Sequence, residues 1–144
     1  MASLKSMQSY AEKCAIKLGI TDTIVLRWSG KICKCGKNTN AHCHIANSEF
    51  PRGTICINKA NLPLYRPTYY IHRLIAHEVS HLATKATHNT PTFARRMVSL
   101  GKANKHEKRL AKSMRGHKHI YSFMKNIDGL QHFYCHYCKK EKPQ

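Results

Sequence analysis

His77-Glu78-Val79-Ser80-His81 sets two imidazoles four positions apart, with a carboxylate between them. On a helix, positions i and i+4 share one face and have neighbouring Cβ atoms. His77 and His81 then both point a ring nitrogen at one metal ion, at the ~2.0–2.1 Å that Zn–N bonds require. Glu78 is rotated off that pair and is free to act on a water rather than on the metal. H-E-x-x-H on a helix is the signature of zinc metallopeptidases. In that chemistry zinc brings the pKa of its water toward neutrality and polarises the scissile carbonyl. Glu78 takes the water proton and later passes it to the leaving amine.

Histidines four apart also arise by chance, so the surroundings decide. The stretch from Pro67 to Ala76 runs straight into the motif and reads as a helix. Pro67 suits its first position, and Ile71, Leu74, Ile75, Val79 and Leu82 form an apolar stripe. Glu78 has no evident structural role, because the residues three and four away are Leu74, Ile75, His81 and Leu82 and offer no i,i+4 ion pair. It is also the only acidic residue between Pro51 and His106. A carboxylate flanked by apolar positions is costly to bury unless a cation compensates it.

A catalytic zinc takes three protein ligands and leaves a fourth position for water. Beyond His81, Thr90-Pro91 reads as a helix start, with Thr as N-cap and Pro in the first turn, and Gly101 as that helix's end. His88 thus falls in the connection between two helices, where the chain can fold back toward the metal. His106 and Glu107 are rivals. For a donor to the developing oxyanion, Tyr69, Tyr70, His106 and Tyr121 all qualify.

His77-Glu78-x-x-His81-Leu82, then His88, then Phe93 resembles the SprT-like metallopeptidases and their small relatives, the WLM and minimal-zincin domains. The resemblance implies His77, His81 and His88 as zinc ligands and Glu78 as general base. It also implies Phe93 as an aromatic packed beneath the site, and it favours His88 over its rivals. One departure is Asn89, where the family often has Gly; Asn tolerates the left-handed backbone that Gly supplies. The likeness covers about residues 50–100. It implies a zinc-dependent endopeptidase acting on proteins bound to DNA.

The elements that would position these residues are those of an α+β fold. The chain opens with a helix over about residues 3–18, bearing Leu4, Met7, Ala11, Ala15 and Leu18 at helical spacing. Thr23–Trp28 reads as a strand turned by Ser29-Gly30, Ala41–Ile45 alternates like another, and Thr54–Asn58 follows a Pro51-Arg52-Gly53 turn. The motif helix, the helix after His88 and a basic helix from near Asn104 complete the order. A minimal zincin-like domain with a small antiparallel sheet is expected. Thr54–Asn58 is its expected edge strand, placed to pair with extended substrate. Residues 1–115 form the expected domain, with 116–144 a basic C-terminal extension packed on it. At 144 residues one domain with one moderate core is the natural size.

A formal net charge of +18 is extreme for this length. Lys102 to Lys125 holds eight Lys or Arg against the single acid Glu107. Such density favours polyanions. Lys102, Lys105, Lys108, Arg109, Lys112, Arg115 and Lys118 are the expected nucleic-acid contacts, with an acidic protein or an anionic membrane surface as alternatives. A basic binding module that keeps the zincin scaffold without useful turnover is the alternative to an enzyme. The intact Glu78 favours the enzyme, because a scaffold needs only the histidines. No apolar stretch approaches bilayer length and the N-terminus is not signal-like, so an intracellular setting is expected.

Seven cysteines is an odd number, spaced more like metal ligands than a disulfide framework. Cys135-His136-Tyr137-Cys138 has the C-x-x-C turn of a zinc knuckle and resembles the first half of the ribbon that ends many SprT-like chains. A second zinc would need further ligands, either from His117, His119 and His132 or from Cys33 and Cys35 with Cys43, His42 or His44. A redox pair is the other use of such a turn. Cys14 and Cys56 read as small buried hydrophobes.

Overall fold

A computed structural model describes residues 3–29, 39–62, 67–83, 88–113, 121–127 and 130–135. It is α+β. α1 spans Leu4–Lys17, β1 Val25–Ser29, β2 Ala41–Cys43, β3 Thr54–Asn58, α2 Thr68–Ala83, α3 Pro91–Ser99 and α4 Lys105–Ser113. A separate hairpin joins β4, Tyr121–Ile127, to β5, Leu130–Cys135. The helix limits follow local signals. Ser3 caps α1 by accepting from Ser6 N–H, and Thr90 caps α3 by accepting from Phe93 N–H, with Pro91 in the first turn. Gly101, at φ 69°, turns the chain out of α3.

Two expectations about the sheet are corrected. It is mixed rather than antiparallel, and Thr54–Asn58 is its centre rather than its edge. β1 pairs with β3 in parallel, β2 pairs with β3 antiparallel, and the order is β1-β3-β2. The physical reason lies in β3 itself. Its first four residues, Thr54 to Ile57, are all buried, and a strand covered on both faces belongs in the middle of a sheet. The cross-strand row Leu26–Ile55–Cys43 lies on the face that the helices cover; the row Arg27–Cys56–His42 lies on the other. Gly53 permits the return into β3: its φ is 95°, and a Cβ there would meet the Thr23 carbonyl oxygen at 2.4 Å.

The two outer edges of this sheet are treated differently. Gln8 of α1 covers β1: its amide donates to Ile24 O at 2.7 Å and its oxygen accepts from Leu26 N–H at 2.7 Å. No described strand pairs with the outer edge of β2, Ala41–Cys43, which faces α2. α1 and α2 bury their apolar stripes against the inner face, so Met7, Ala11, Ile55, Ile57, Ile75, Val79 and Met97 form one core. Ile75, fully buried at 0% exposure one helical turn before Val79, anchors α2. Ile75→Ala should lower unfolding free energy by about 2–5 kcal/mol, through lost transfer and a residual cavity. Urea denaturation would check this; a midpoint equal to wild type would mean the α2 stripe does not stabilise the fold.

The extension expected as a basic tail carries the β4–β5 hairpin, paired antiparallel with a register shift between Phe123 and Lys125. Among the described residues, no helix is long and apolar enough to cross a membrane.

Candidate metal centre

α2 positions the first two imidazoles. From Thr68 the helix runs sixteen residues, and its buried side carries Ile71, Ile75, Val79 and Leu82. This fixes the rotation of the helix and turns His77 and His81 to its other flank, toward β2. The third imidazole comes from the turn after α2. Asn89, at φ 61°, takes the left-handed conformation that its position was expected to need. The chain then enters α3 through the Thr90 cap. His88 Nε2 lies 2.8 Å from His77 Nε2 and 2.8 Å from His81 Nε2.

Phe93, in the first turns of α3, packs against all three rings, its centroid 4.9 Å from His77, 4.8 Å from His81 and 5.6 Å from His88. It is itself buried, so it forms a rigid floor that restricts the imidazole rotamers. The three nitrogens form the one group among the described residues that could hold a metal ion, all within 4.8 Å of one another.

Electrostatics prepares the cluster. Burial pushes His77 down to about 3, with further lowering from His81, His88 and the Arg73 charge. Burial likewise pushes His81 down to about 4, followed by His88 and His42. Both rings are therefore neutral near pH 7, the form that ligates metals. A neutral imidazole has one N–H, so the single hydrogen His88 Nε2 can carry cannot bond both neighbours at 2.8 Å. A cation at the common focus satisfies all three lone pairs together, so the donor set fits a metal ion.

Glu78 sits beside the cluster and is 7% exposed. Two ion pairs form among the described residues, Arg52–Asp22 and Arg73–Glu107, and Glu78 belongs to neither. Burial raises its pKa to about 7, partly opposed by a hydrogen bond from the Cys43 backbone N–H. His44 N–H donates to Thr54 O within the sheet, so by strand alternation the neighbouring Cys43 N–H points to the outer edge. Glu78 thus accepts a bond from the outer edge of β2 and follows His77 of the three-histidine group directly in sequence.

A cleft of about 610 Å³ opens here, lined by Asn40, by Ala41 to Cys43 of β2, by Tyr70, Arg73, Leu74, His77, Glu78 and His81 of α2, and by His88. Of the oxyanion-donor candidates, Tyr70 lines it, and its hydroxyl accepts from Asn40 Nδ2 at 3.0 Å. Tyr69 points elsewhere: it is 56% exposed, with Lys102 Nζ 4.4 Å from its ring centroid. His106 lines a smaller neighbouring cavity of about 210 Å³. Tyr121 lies on β4.

The rival third ligands are placed as well. Glu107 is paired with Arg73 at 3.2 Å and accepts from the Asn104 N–H at 2.7 Å, capping α4, so its carboxylate is already used. His106 is outside the cluster.

Lys105, Lys108, Arg109 and Lys112 are all exposed on α4, at helical spacings that keep them on one stripe. Lys102 is half-buried against Tyr69 and Tyr10. Arg115 and Lys118 lie outside the described residues, as do Cys33, Cys35, His117, His119 and Cys138. Cys135 and His132 are on β5. Cys14, Cys43 and Cys56 are buried thiols not joined in a disulfide. Cys56 Sγ lies 3.5 Å from His44 Nε2, so it is more than an apolar filler.

Arg73 and His42 are cleft residues without a role in the sequence reading of the site. Arg73 had a usable signal: positions 73, 77 and 81 recur every fourth residue and share one face of α2. His42 had only strand alternation, which cannot say that it reaches the edge of a cleft. Comparison of the chain with protein-family models, with curated proteins and with solved structures returns no match.

Proposed function

We propose that the protein is a zinc-dependent endopeptidase whose metal is held by His77, His81 and His88, with Glu78 as general base. The observation that carries this reading is the convergence of three imidazole nitrogens beside a buried carboxylate that no described Lys or Arg pairs with. Three nitrogen ligands with a fourth position left open is the pattern of a catalytic rather than a structural zinc. A bound zinc supplies Lewis acidity toward a carbonyl and toward water.

The chain's own residues do the rest. Glu78 Oε accepts a proton from water and returns it to the departing amine, while the Cys43 N–H holds the carboxylate in place. Phe93 and the α2 core fix the imidazoles, which limits reorganisation during the reaction. The outer edge of β2, which no described strand pairs with, offers the backbone groups that Glu78 does not take to an extended substrate, and Tyr70 lines the cleft. The resemblance to SprT-like metallopeptidases supports the same assignment.

The substrate setting follows from charge. The basic stripe of α4 supports association with nucleic acid, and so a protein substrate bound to DNA. Replacing Lys105, Lys108, Arg109 and Lys112 by Ala should weaken DNA binding at low salt. It should also flatten the dependence of log K on log salt by about 3 to 4 if each side chain meets a phosphate. An unchanged slope would remove the stripe from the interface.

The primary test measures metal content of the purified protein alongside digestion of casein and histone, with and without DNA. One zinc per chain with zinc-dependent cleavage is expected. Stoichiometric zinc without cleavage of either protein would leave a basic, zinc-stabilised binding module instead.

A further inference from the structure

We propose that Arg73 is the specificity-determining residue of this cleft, seating a carboxylate of the substrate beside the metal cluster. The proposal rests on the peptidase reading for its reaction but on separate observations for its site. Arg73 precedes His77 by one helical turn on the face of α2 that carries His81. It lines both the larger cleft and the smaller cavity on the far side of His77 and His88. Among the described residues lining the larger cleft it is the only Lys or Arg.

The guanidinium is held but only partly used. Both of its bonds to Glu107 run from Nη2, at 3.2 and 3.3 Å, and the two side chains are 28% and 12% exposed. Glu107 is itself fixed by reciprocal bonds with Asn104, Oε2 accepting at 2.7 Å and its own N–H donating at 2.8 Å. Among the described residues the Nε and Nη1 groups make no hydrogen bond. A planar guanidinium offers donors on more than one edge, and carboxylates match them in a two-point geometry. Glu107 thus orients Arg73 and leaves donors at the cleft wall. The two described carboxylates at the cleft and its wall are already committed: Glu107 to this pair and the α4 cap, Glu78 to the Cys43 N–H. A substrate carboxylate would therefore take the guanidinium donors that Glu107 leaves unused. It comes either from an Asp or Glu side chain flanking the scissile bond or from a free chain terminus.

The test compares matched peptides carrying Glu or Gln at each position flanking the cleaved bond, with free and with amidated C-termini. KM and kcat are read on active protein, and affinity is read by fluorescence anisotropy on zinc-loaded Glu78→Gln. Wild type should prefer the Glu over the Gln peptide if the carboxylate is a side chain, or the free over the amidated peptide if it is terminal, by about tenfold or more, carried by KM and by affinity rather than kcat. Arg73→Gln should erase the preference. Glu107→Gln keeps an acceptor for the Asn104 N–H and releases the guanidinium, so it should strengthen the preference.

That opposition is diagnostic. A merely structural Arg73–Glu107 bridge would make both variants fall together, and that result overturns the proposal, as does equal treatment of the peptides by wild type. Selective binding of the Glu peptide without hydrolysis would uphold Arg73 and reject the peptidase function.

Discussion

Glu78→Gln should retain stoichiometric zinc and lose peptide hydrolysis by about 10²–10⁴-fold, the range that positioned general base catalysis supplies. The substitution is nearly isosteric and touches none of the three imidazoles. The amide can still accept the Cys43 N–H bond through its oxygen, so β2 and α2 keep their contact. It also removes the cost of ionising a carboxylate that burial holds near neutrality, so folding stability should not fall. What the variant lacks is an oxygen able to take a proton. Zinc measured by atomic absorption, thermal unfolding and casein cleavage should therefore separate cleanly, with the first two close to wild type and the third at background. Cleavage at the wild-type rate with metal in place would end the general-base assignment, and some other group would have to carry the proton.

The helices were legible from sequence because the determinants of each are local. Ser3 and Thr90 are side-chain caps bonding three residues ahead, and the α2 stripe is a period that any one face of a helix must show. The metal cluster was legible for a related reason. Two of the three histidines that could hold a metal share one helix, and the third lies seven residues on, past a short connection whose end is marked by Thr90-Pro91 and Asn89.

The sheet was not legible to the same depth. Alternation located β1, β2 and β3 nearly in place, but which strand lies between the others is a non-local matter. It is settled by how completely Ile55, Cys56 and Ile57 can be buried on both faces. The consequence for the site is direct, because the outer strand at the cleft is β2 and not β3. The β4–β5 hairpin had a usable local signal, since Asp128-Gly129 separates its strands in sequence. Dense positive charge and the C-x-x-C turn dominated that segment instead.

Glu107 illustrates a different limit. Sequence offered it as a metal ligand on the strength of its chemistry, and only three-dimensional placement shows that Arg73 and the α4 cap have claimed it.

His88→Ala is the variant that tests the centre as a whole. Structural zinc sites with four ligands are worth about 10–16 kcal/mol, so one ligand carries roughly 3 kcal/mol, or about 10²-fold in affinity. The loss here should be at least of that order, because His88 Nε2 is the atom that both other nitrogens approach at 2.8 Å. Zinc should no longer survive gel filtration, and casein cleavage should vanish with it. The fold should persist, since His88 is exposed and lies outside the core formed by Ile55, Ile75 and Met97. Added zinc stabilises a native state in proportion to its affinity, so the rise in Tm that zinc gives wild type should shrink or disappear. His106→Ala and Glu107→Gln are the matched controls, and both should keep the metal. If either control lost zinc while His88→Ala kept it, the third ligand would lie on α4, and Arg73 would have to release Glu107 to allow it.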